Sequence, residues 1–483
     1  MSQPDGPYDA IVIGAGMSGL AAGIRLAMYD RRVVVLDRHY LWGGLNSFYK
    51  RRGRLYDVGL HALTNYAPKG RKGVPLTKLL RQLRLRHADL RLGEQRFSEI
   101  AFPSERLRFS NDFALIESEV ARAFPGQVDG FRALTDEVMA YDSFSPPDPD
   151  VRARQVLERH LSEPLLVEML MLPMCYYGSA IPGDIAWYQF AILFKSFFDE
   201  GFARPEGGIR PLLDVLVRRF RELGGELRMK SGVAEVLTDG AGDDARAIGV
   251  RLDDGTELRG AQVYSSAGYG PTLQLCGRGD ELTPDDRGVL SFNETVVVTD
   301  RPPLEYPGQE DAPGAGAAIV FFNDAEDFDY RCPSASGRGP VDVRSGVICS
   351  PNHYAAEEPL AEGVMRFTAL SDPAHWDGLD DGAYAADKHR WSEALLDVAA
   401  RYAPDPRPHE VDRDAFTPRT ITHYTGHPRG AVYGAPTKRL DGRTPVEDLF
   451  LIGTDQGLLG VVGAMLSGIS MANRHGLMSQ APS

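Results

Sequence analysis

The spacing of apolar positions changes twice within the first forty residues. Residues 10–13 (AIVI) are apolar throughout and rich in β-branched side chains, the pattern of a strand buried on both faces. Leu20, Ile24, Leu26 and Ala27 then recur at helical spacing, and 33–36 (VVVL) form a second buried-strand run ending at Asp37. The reading is strand, helix, parallel strand. Later segments repeat such signals. Residues 212–223 predict an amphipathic helix stopped by Gly224-Gly225, and 226–229 a short strand. Strands are expected at 247–252 and 257–263, with Asp253-Asp254-Gly255 as a hairpin turn. Residues 263–268 return to a sheet core. Residues 449–452 (LFLI) are another buried run, and a small-residue helix opens at Gly460. The span 67–202 is mainly helical in pattern.

The turn after the first strand reads Gly14-Ala15-Gly16-Met17-Ser18-Gly19, a GxGxxG. Gly14 permits the tight turn, Gly16 lets the backbone approach a pyrophosphate, and Gly19 lets the helix pack on the strand. The helix N-terminus offers free N–H groups and a positive dipole end to phosphates. Asp37, 23 positions after Gly14, can accept from a ribose 2′-OH. The strand–turn–helix–strand–acid context marks a dinucleotide site. No second complete GxGxxG follows, so one dinucleotide is expected, not two.

Composition narrows the class. At 483 residues, roughly two to three domains of about 150 are expected. Cys175, Cys276, Cys332 and Cys349 show no CxxC or metal-ligand spacing, so no metal and a reduced cytoplasmic setting are expected. A net charge of −14 argues against nucleic acid as a partner. The Arg-rich stretch 81–91 reads as a solvated helix face. No apolar run reaches the roughly 18 residues of a membrane span, and the start lacks the form of a signal peptide.

Gly43-Gly44-Leu45-Asn46-Ser47 and Tyr56-Asp57-Val58-Gly59-Leu60-His61 follow the fingerprint. With it they resemble the glutathione-reductase-like flavoproteins, in which the GG doublet lines the FAD phosphates. Many members have Arg after the doublet; this chain has Leu45, which removes one phosphate contact. The resemblance implies an α/β fold: a Rossmann-like FAD-binding domain with a discontinuous α+β substrate domain. The FAD-binding parts would be 1–66, 203–273 and 440–483. Between them would lie a mainly helical substrate or lid region, 67–202, and a substrate domain with a sheet, 274–439. It also implies FAD contacts at Arg38, at Gly59, Leu60 and His61, at Val233 beside the adenine, and at Ala267 and Gly268. In the closing segment it implies contacts at Gly453, Thr454 and Asp455, and at Gly460, Val461 and Val462 at a helix start facing the flavin.

Two further features point to the substrate. Residues 165–198 are dense in Leu, Met, Phe, Tyr and Trp, and Pro and Gly interrupt them, which suits the wall of an apolar tunnel. A patch of this kind could also draw substrate from a membrane surface. Phe416-Thr417-Pro418-Arg419-Thr420, Tyr424-Thr425-Gly426 and Gly430-Ala431-Val432-Tyr433-Gly434 resemble a segment of the phytoene desaturase, carotenoid isomerase and retinol saturase superfamily. The look is closest to bacterial retinol-saturase-like proteins. The resemblance implies an FAD-dependent enzyme exchanging hydride with a lipophilic polyene, as desaturase, saturase or cis-trans isomerase, with an external electron acceptor or donor. His61 and Tyr433 become the catalytic candidates, and Tyr424 a further proton carrier; Arg419 reads as a loop anchor. Two alternatives share the fold: a flavin amine oxidase, with an aromatic cage and a lysine near the flavin, and a non-enzymatic prenyl-lipid escort.

Overall fold

The computed structural model describes residues 6–142 and 148–478. Strand β1 (Tyr8–Ile13), helix α1 (Met17–Ala27) and strand β2 (Val33–Leu36) form the expected opening unit. β1 pairs in parallel with β2 on one side and with Glu257–Ser265 on the other. Glu226–Arg228 adds a parallel strand beyond β2, and Leu449–Leu451 pairs in parallel with residues 263–265. Val233–Asp239 and Arg246–Leu252 extend this first sheet as an antiparallel meander. Every α1 residue but Arg25 is buried. The small side chains Ala21, Ala22 and Gly23 let the helix sit close between Gly460–Met471 and Ile209–Glu222.

The second sheet runs, edge to edge, Glu410–Phe416, Ser291–Thr299, Gly363–Ser371, Ser345–Cys349, Ile319–Asn323, Ser98–Ala101 and Arg106–Phe109. All neighbours are antiparallel except Ile319–Asn323 with Ser98–Ala101. Helices from 113–202 cover one face, in one core with Phe292, Phe321 and Val347. Asp381–Ala399 covers the other face through Leu395 and Leu396. Both faces are buried, which is why Ser291–Thr299 is buried at every position.

The Arg-rich stretch is not one helix. Pro75–Leu83 ends at Arg84, whose φ of +53 turns the chain before the short turn His87–Leu90. Burial of Leu83 and Leu90 drives the break, while Arg81, Arg84 and Arg86 stay exposed. The aromatic stretch is mostly packed core: Phe190, Phe194, Phe197 and Phe198 are fully buried. Among the described residues, no helix is long and apolar enough to cross a membrane.

Candidate functional site

A cavity of about 950 Å³ lies between the two sheets, at the upper end of the range for small-molecule sites. One end is built where β1 stops. Gly14 has φ +100, and a Cβ there would lie 2.1 Å from Ser266 Oγ, so the turn admits no side chain. Gly16 differs. Its backbone is ordinary extended chain (φ −76, ψ −176), and a Cβ would meet nothing nearer than Gly43 O and Gly44 Cα at 3.9 Å. The protein therefore does not need glycine here; the space belongs to the cavity.

No side chain caps the N-terminus of α1, so its first-turn N–H groups and dipole end face that space. Helix Gly460–Met471 also starts without a side-chain cap, with Leu459, Gly460, Val461 and Ala464 on the wall. Two uncapped helix ends on one cavity fit a ligand that carries negative charge at two places, as FAD does at its diphosphate and its reduced ring. Asp37 Oδ2 accepts from Ala15 N–H and Oδ1 from His39 N–H, each at 2.8 Å. The carboxylate lines the cavity and keeps lone pairs for ribose hydroxyls. The residues present fit FAD.

The cavity wall includes Gly14, Gly16, Met17, Ser18, Asp37, Arg38, Gly43, Gly44, Leu45, Asn46, Ser47, Gly59, His61, Val233, Ala267, Gly453, Thr454, Gly460 and Val461. Ala15, Gly19, Leu60, Gly268, Asp455 and Val462 are off the wall. Asp455 is a buried tie: Oδ2 accepts from Tyr269 N–H at 2.7 Å and Oδ1 from Ala435 N–H at 2.8 Å. Arg38 turns from the glycine loops to helix Pro418–Thr425, donating to His423 O at 2.7 Å and Thr422 O at 3.3 Å. That helix thereby closes one side of the cavity, with Tyr424, half exposed, against His39.

The other end is apolar. Tyr176, Tyr177, Leu193, Phe292, Val347 and Val432 wall it, so only the edge of the aromatic stretch reaches the cavity. Tyr433 lines it as a ring. Its hydroxyl donates to Tyr176 O at 2.5 Å, and burial pushes it above the usual phenol range. Lys438 Nζ donates to Tyr433 O at 2.5 Å and lies 3.7 Å from Asp455 Oδ1. Burial pulls its ammonium below the ordinary value, with Asp455 opposing.

His61 brings a polar group to this apolar end. Nε2 lies 3.0 Å from Glu294 Oε2 and 3.1 Å from Thr368 Oγ1. Arg366 Nε donates to Glu294 Oε1 at 2.6 Å. Glu294 and Arg366 are both almost fully buried. Burial alone would raise the Glu294 carboxyl, but Arg366 and then His61 hold it below the usual range. Burial pulls His61 below the ordinary imidazole value, with Glu294 opposing. These directions describe a carboxylate, held charged chiefly by Arg366, beside an imidazole that burial disfavours protonating. Arg366 also donates to Leu60 O (2.7 Å) and Val58 O, and Arg204 to Leu60 O (2.9 Å) and His61 O (3.2 Å), so two guanidiniums grip the loop that carries the imidazole.

Sequence reasoning missed Glu294, Thr368 and Arg366. A lone Glu in SFNETVVVT and a lone Arg in GVMRFTALS were the available signal. Their pairing depends on register: Glu294 lies opposite Thr368 and Val296 opposite Arg366, which sets the two charges on a diagonal.

Fold and site together define a two-sheet α/β protein in which a groove at the N-terminus of α1, of a shape and chemistry that fit FAD, opens into an apolar chamber. Residues 17–474 match the family described as flavin-containing amine oxidoreductase, and the chain belongs to it. It is an FAD-dependent oxidoreductase. It is 29% identical over 302 residues to a neurosporene-forming phytoene desaturase of Rhodobacter capsulatus, covering 56% of this chain and 54% of that relative. It is 22% identical over 517 residues to a chloroplastic prolycopene isomerase of Arabidopsis thaliana (97% of this chain, 82% of the relative). It is 24% identical over 527 residues to an all-trans-retinol 13,14-reductase of Danio rerio (96% and 85%). A crystal structure of an oxidoreductase from Methanosarcina mazei shares the fold at a TM-score of 0.65 and 16% identity, covering 96% of this chain and all of that one.

Proposed function

We propose that the protein exchanges hydride with a carbon of an elongated, lipophilic, carotenoid- or retinoid-like polyene, as a desaturase, a saturase or a cis-trans isomerase. One observation carries this reading. The groove at the α1 N-terminus and the aromatic chamber at Tyr176, Tyr177 and Phe292 are one continuous cavity. The names of the polyene-acting relatives agree with it.

In this reading the first-turn N–H groups of α1 and the space at Gly16 hold the diphosphate, and Asp37 holds the ribose. Bound FAD supplies hydride acceptance or donation at its ring. The chamber orients the polyene chain by shape and excludes water. Tyr433 serves as wall, because its proton is committed to Tyr176 O. His61 exchanges a proton with the cavity occupant at Nδ1. The FAD-binding part is 1–66, 203–273 and 440–483, and the substrate part is 67–202 and 274–439. The first sheet supports this, since its strands come from 8–36, 226–265 and 449–451. An external electron partner and transient contact with a membrane surface belong to the same reading.

The test is co-expression in a host that makes linear polyenes, with Gly16→Trp as the control that blocks the diphosphate space. A product lighter by two hydrogens means desaturation, and a heavier one saturation. Unchanged mass with altered retention means isomerisation. No change that depends on bound FAD sinks the reading, and amine-driven peroxide release from the same protein would replace it with an oxidase.

A further inference from the structure

Glu294 is a poor candidate for a merely structural charge. One of its oxygens, Oε1, is fully used by Arg366, which also satisfies two backbone carbonyls of the 57–61 loop. That pair would be complete without the second oxygen. Oε2 instead turns to His61 Nε2 (3.0 Å) and Thr368 Oγ1 (3.1 Å), and all three side chains reach the cavity wall. Burying an ion pair is expensive even when well paired, so a carboxylate kept in a strand core and aimed at a cavity imidazole asks for a role beyond stability.

The hydrogen-bond roles are fixed by elimination. Oε2 of a carboxylate only accepts. The Thr368 hydroxyl donates to it, which leaves Thr368 Oγ1 as an acceptor toward the ring. Nε2 therefore faces two acceptors and must carry the proton. In a neutral imidazole Nδ1 is then bare. Among the described residues, no group hydrogen-bonds to His61 Nδ1.

We propose that Glu294, with Thr368, is a positioning residue: it holds His61 as the Nε2–H tautomer, turns the basic Nδ1 to the cavity, and balances the imidazolium that forms when Nδ1 takes up a proton. Arg366 keeps the carboxylate charged and so keeps it an acceptor. The proposal rests on the reading of His61 as the proton carrier and names the groups that set its chemistry. The other groups that face His61 do not compete for Nδ1. The Cys349 thiol and the Arg204 guanidinium donate to its backbone carbonyl, Asp57 pairs with Arg204, and Tyr177 meets it ring to ring at 6.1 Å.

The test is a long-range proton–nitrogen spectrum of the FAD-loaded protein carrying ¹⁵N-histidine, with the His61 signals assigned by their loss in His61→Gln. The wild-type protein is expected to show a protonated Nε2 and a bare Nδ1 at neutral pH. Glu294→Gln is expected to mix the tautomers and lower the His61 titration midpoint. In the same variant kcat on a polyene should fall by about 10²-fold, KM should stay within about twofold, and the flavin absorbance ratio should not change. Should Glu294→Gln fail to fold, Thr368→Val removes one of the two acceptors and leaves the ion pair. It should raise the share of the Nδ1–H tautomer. A wild-type His61 protonated at Nδ1, or variants with the wild-type tautomer and pH profile, overturns the proposal. The spectrum needs no substrate, so the expected tautomer in a protein that leaves every polyene unchanged would sink the polyene reading alone.

Discussion

Gly14 and Gly16 look alike in the fingerprint, yet the structure separates their jobs. Gly14 holds φ +100 with Ser266 Oγ 2.1 Å from a would-be Cβ, and that serine is itself tied to Ile13 O. Gly14→Ala should destabilise the apoprotein by about 2 kcal/mol or more, through backbone strain and the clash. Gly16→Ala should leave the apoprotein within about 0.5 kcal/mol of wild type and weaken FAD by about tenfold or more, or 1.4 kcal/mol. Urea melts of the apoproteins and a fluorescence titration with FAD read the two effects; equal loss of stability in both would refute the division. A buried histidine gives a second residue-scale expectation. His353 donates from Nδ1 to Ala317 O at 2.7 Å, and burial holds it below the ordinary imidazole value. Its folded value is therefore below its unfolded one, near 6.5. Its share of stability is whole above about pH 6.5 and is lost progressively as pH falls from there toward the lower folded value. Glu99, Glu200 and Asp342 have values raised by burial and act with the opposite sign, so the raw pH curve mixes both. The comparison isolates the histidine: urea midpoints from about pH 7.5 to 5.5 should fall less steeply in His353→Gln than in wild type. Parallel curves would rule this out.

Elements were legible where a local rule decides them. Glycine spacing and two apolar runs sufficed for β1, α1 and β2. Gly224 (φ +81) and Gly255 (φ +86) stop a helix and turn a hairpin as their chemistry requires. The helix expected at 212–223 spans Ile209–Glu222, three residues earlier at its start and one at its end. What stayed hidden depends on partners distant in sequence. Residues 98–109 sit in a helical-looking span yet supply two strands to the second sheet, because Ile319–Asn323 offers an edge more than two hundred residues away. The stretch 81–91 carries helix-forming Arg and Leu, and tertiary burial of Leu83 and Leu90 overrides that preference. The site divides the same way. The glycine loops and Asp37 that line one end of the cavity are local motif and were readable, whereas Glu294 and Arg366 meet only through strand register.

At the scale of the whole molecule the chain crosses between the sheets several times. It leaves the first sheet after β2, supplies 98–109 to the second, returns at 226–265, goes back for 291–416 and ends at 449–451. Neither sheet is contiguous in sequence. Side-chain ties reinforce this: the hairpin 48–57 reaches the edge strand Glu410–Phe416 through Tyr49 to Asp414 (2.8 Å) and Tyr56 to Asp412 (2.6 Å). A half that cannot form without segments threaded through the other should not melt alone. Binding at the proposed FAD site adds to this, since both sheets and the closing helix line that cavity. A ligand that binds the folded chain alone stabilises it by about 2.7 kcal/mol at one hundred times its Kd, and further with each tenfold rise. Calorimetry of the apoprotein should therefore give one transition, and FAD should move that transition upward as a unit, linearly in the logarithm of its concentration. Two transitions, with FAD moving only one, would mean that the sheets are separate folding units joined at the cavity, and that the threading does not couple them.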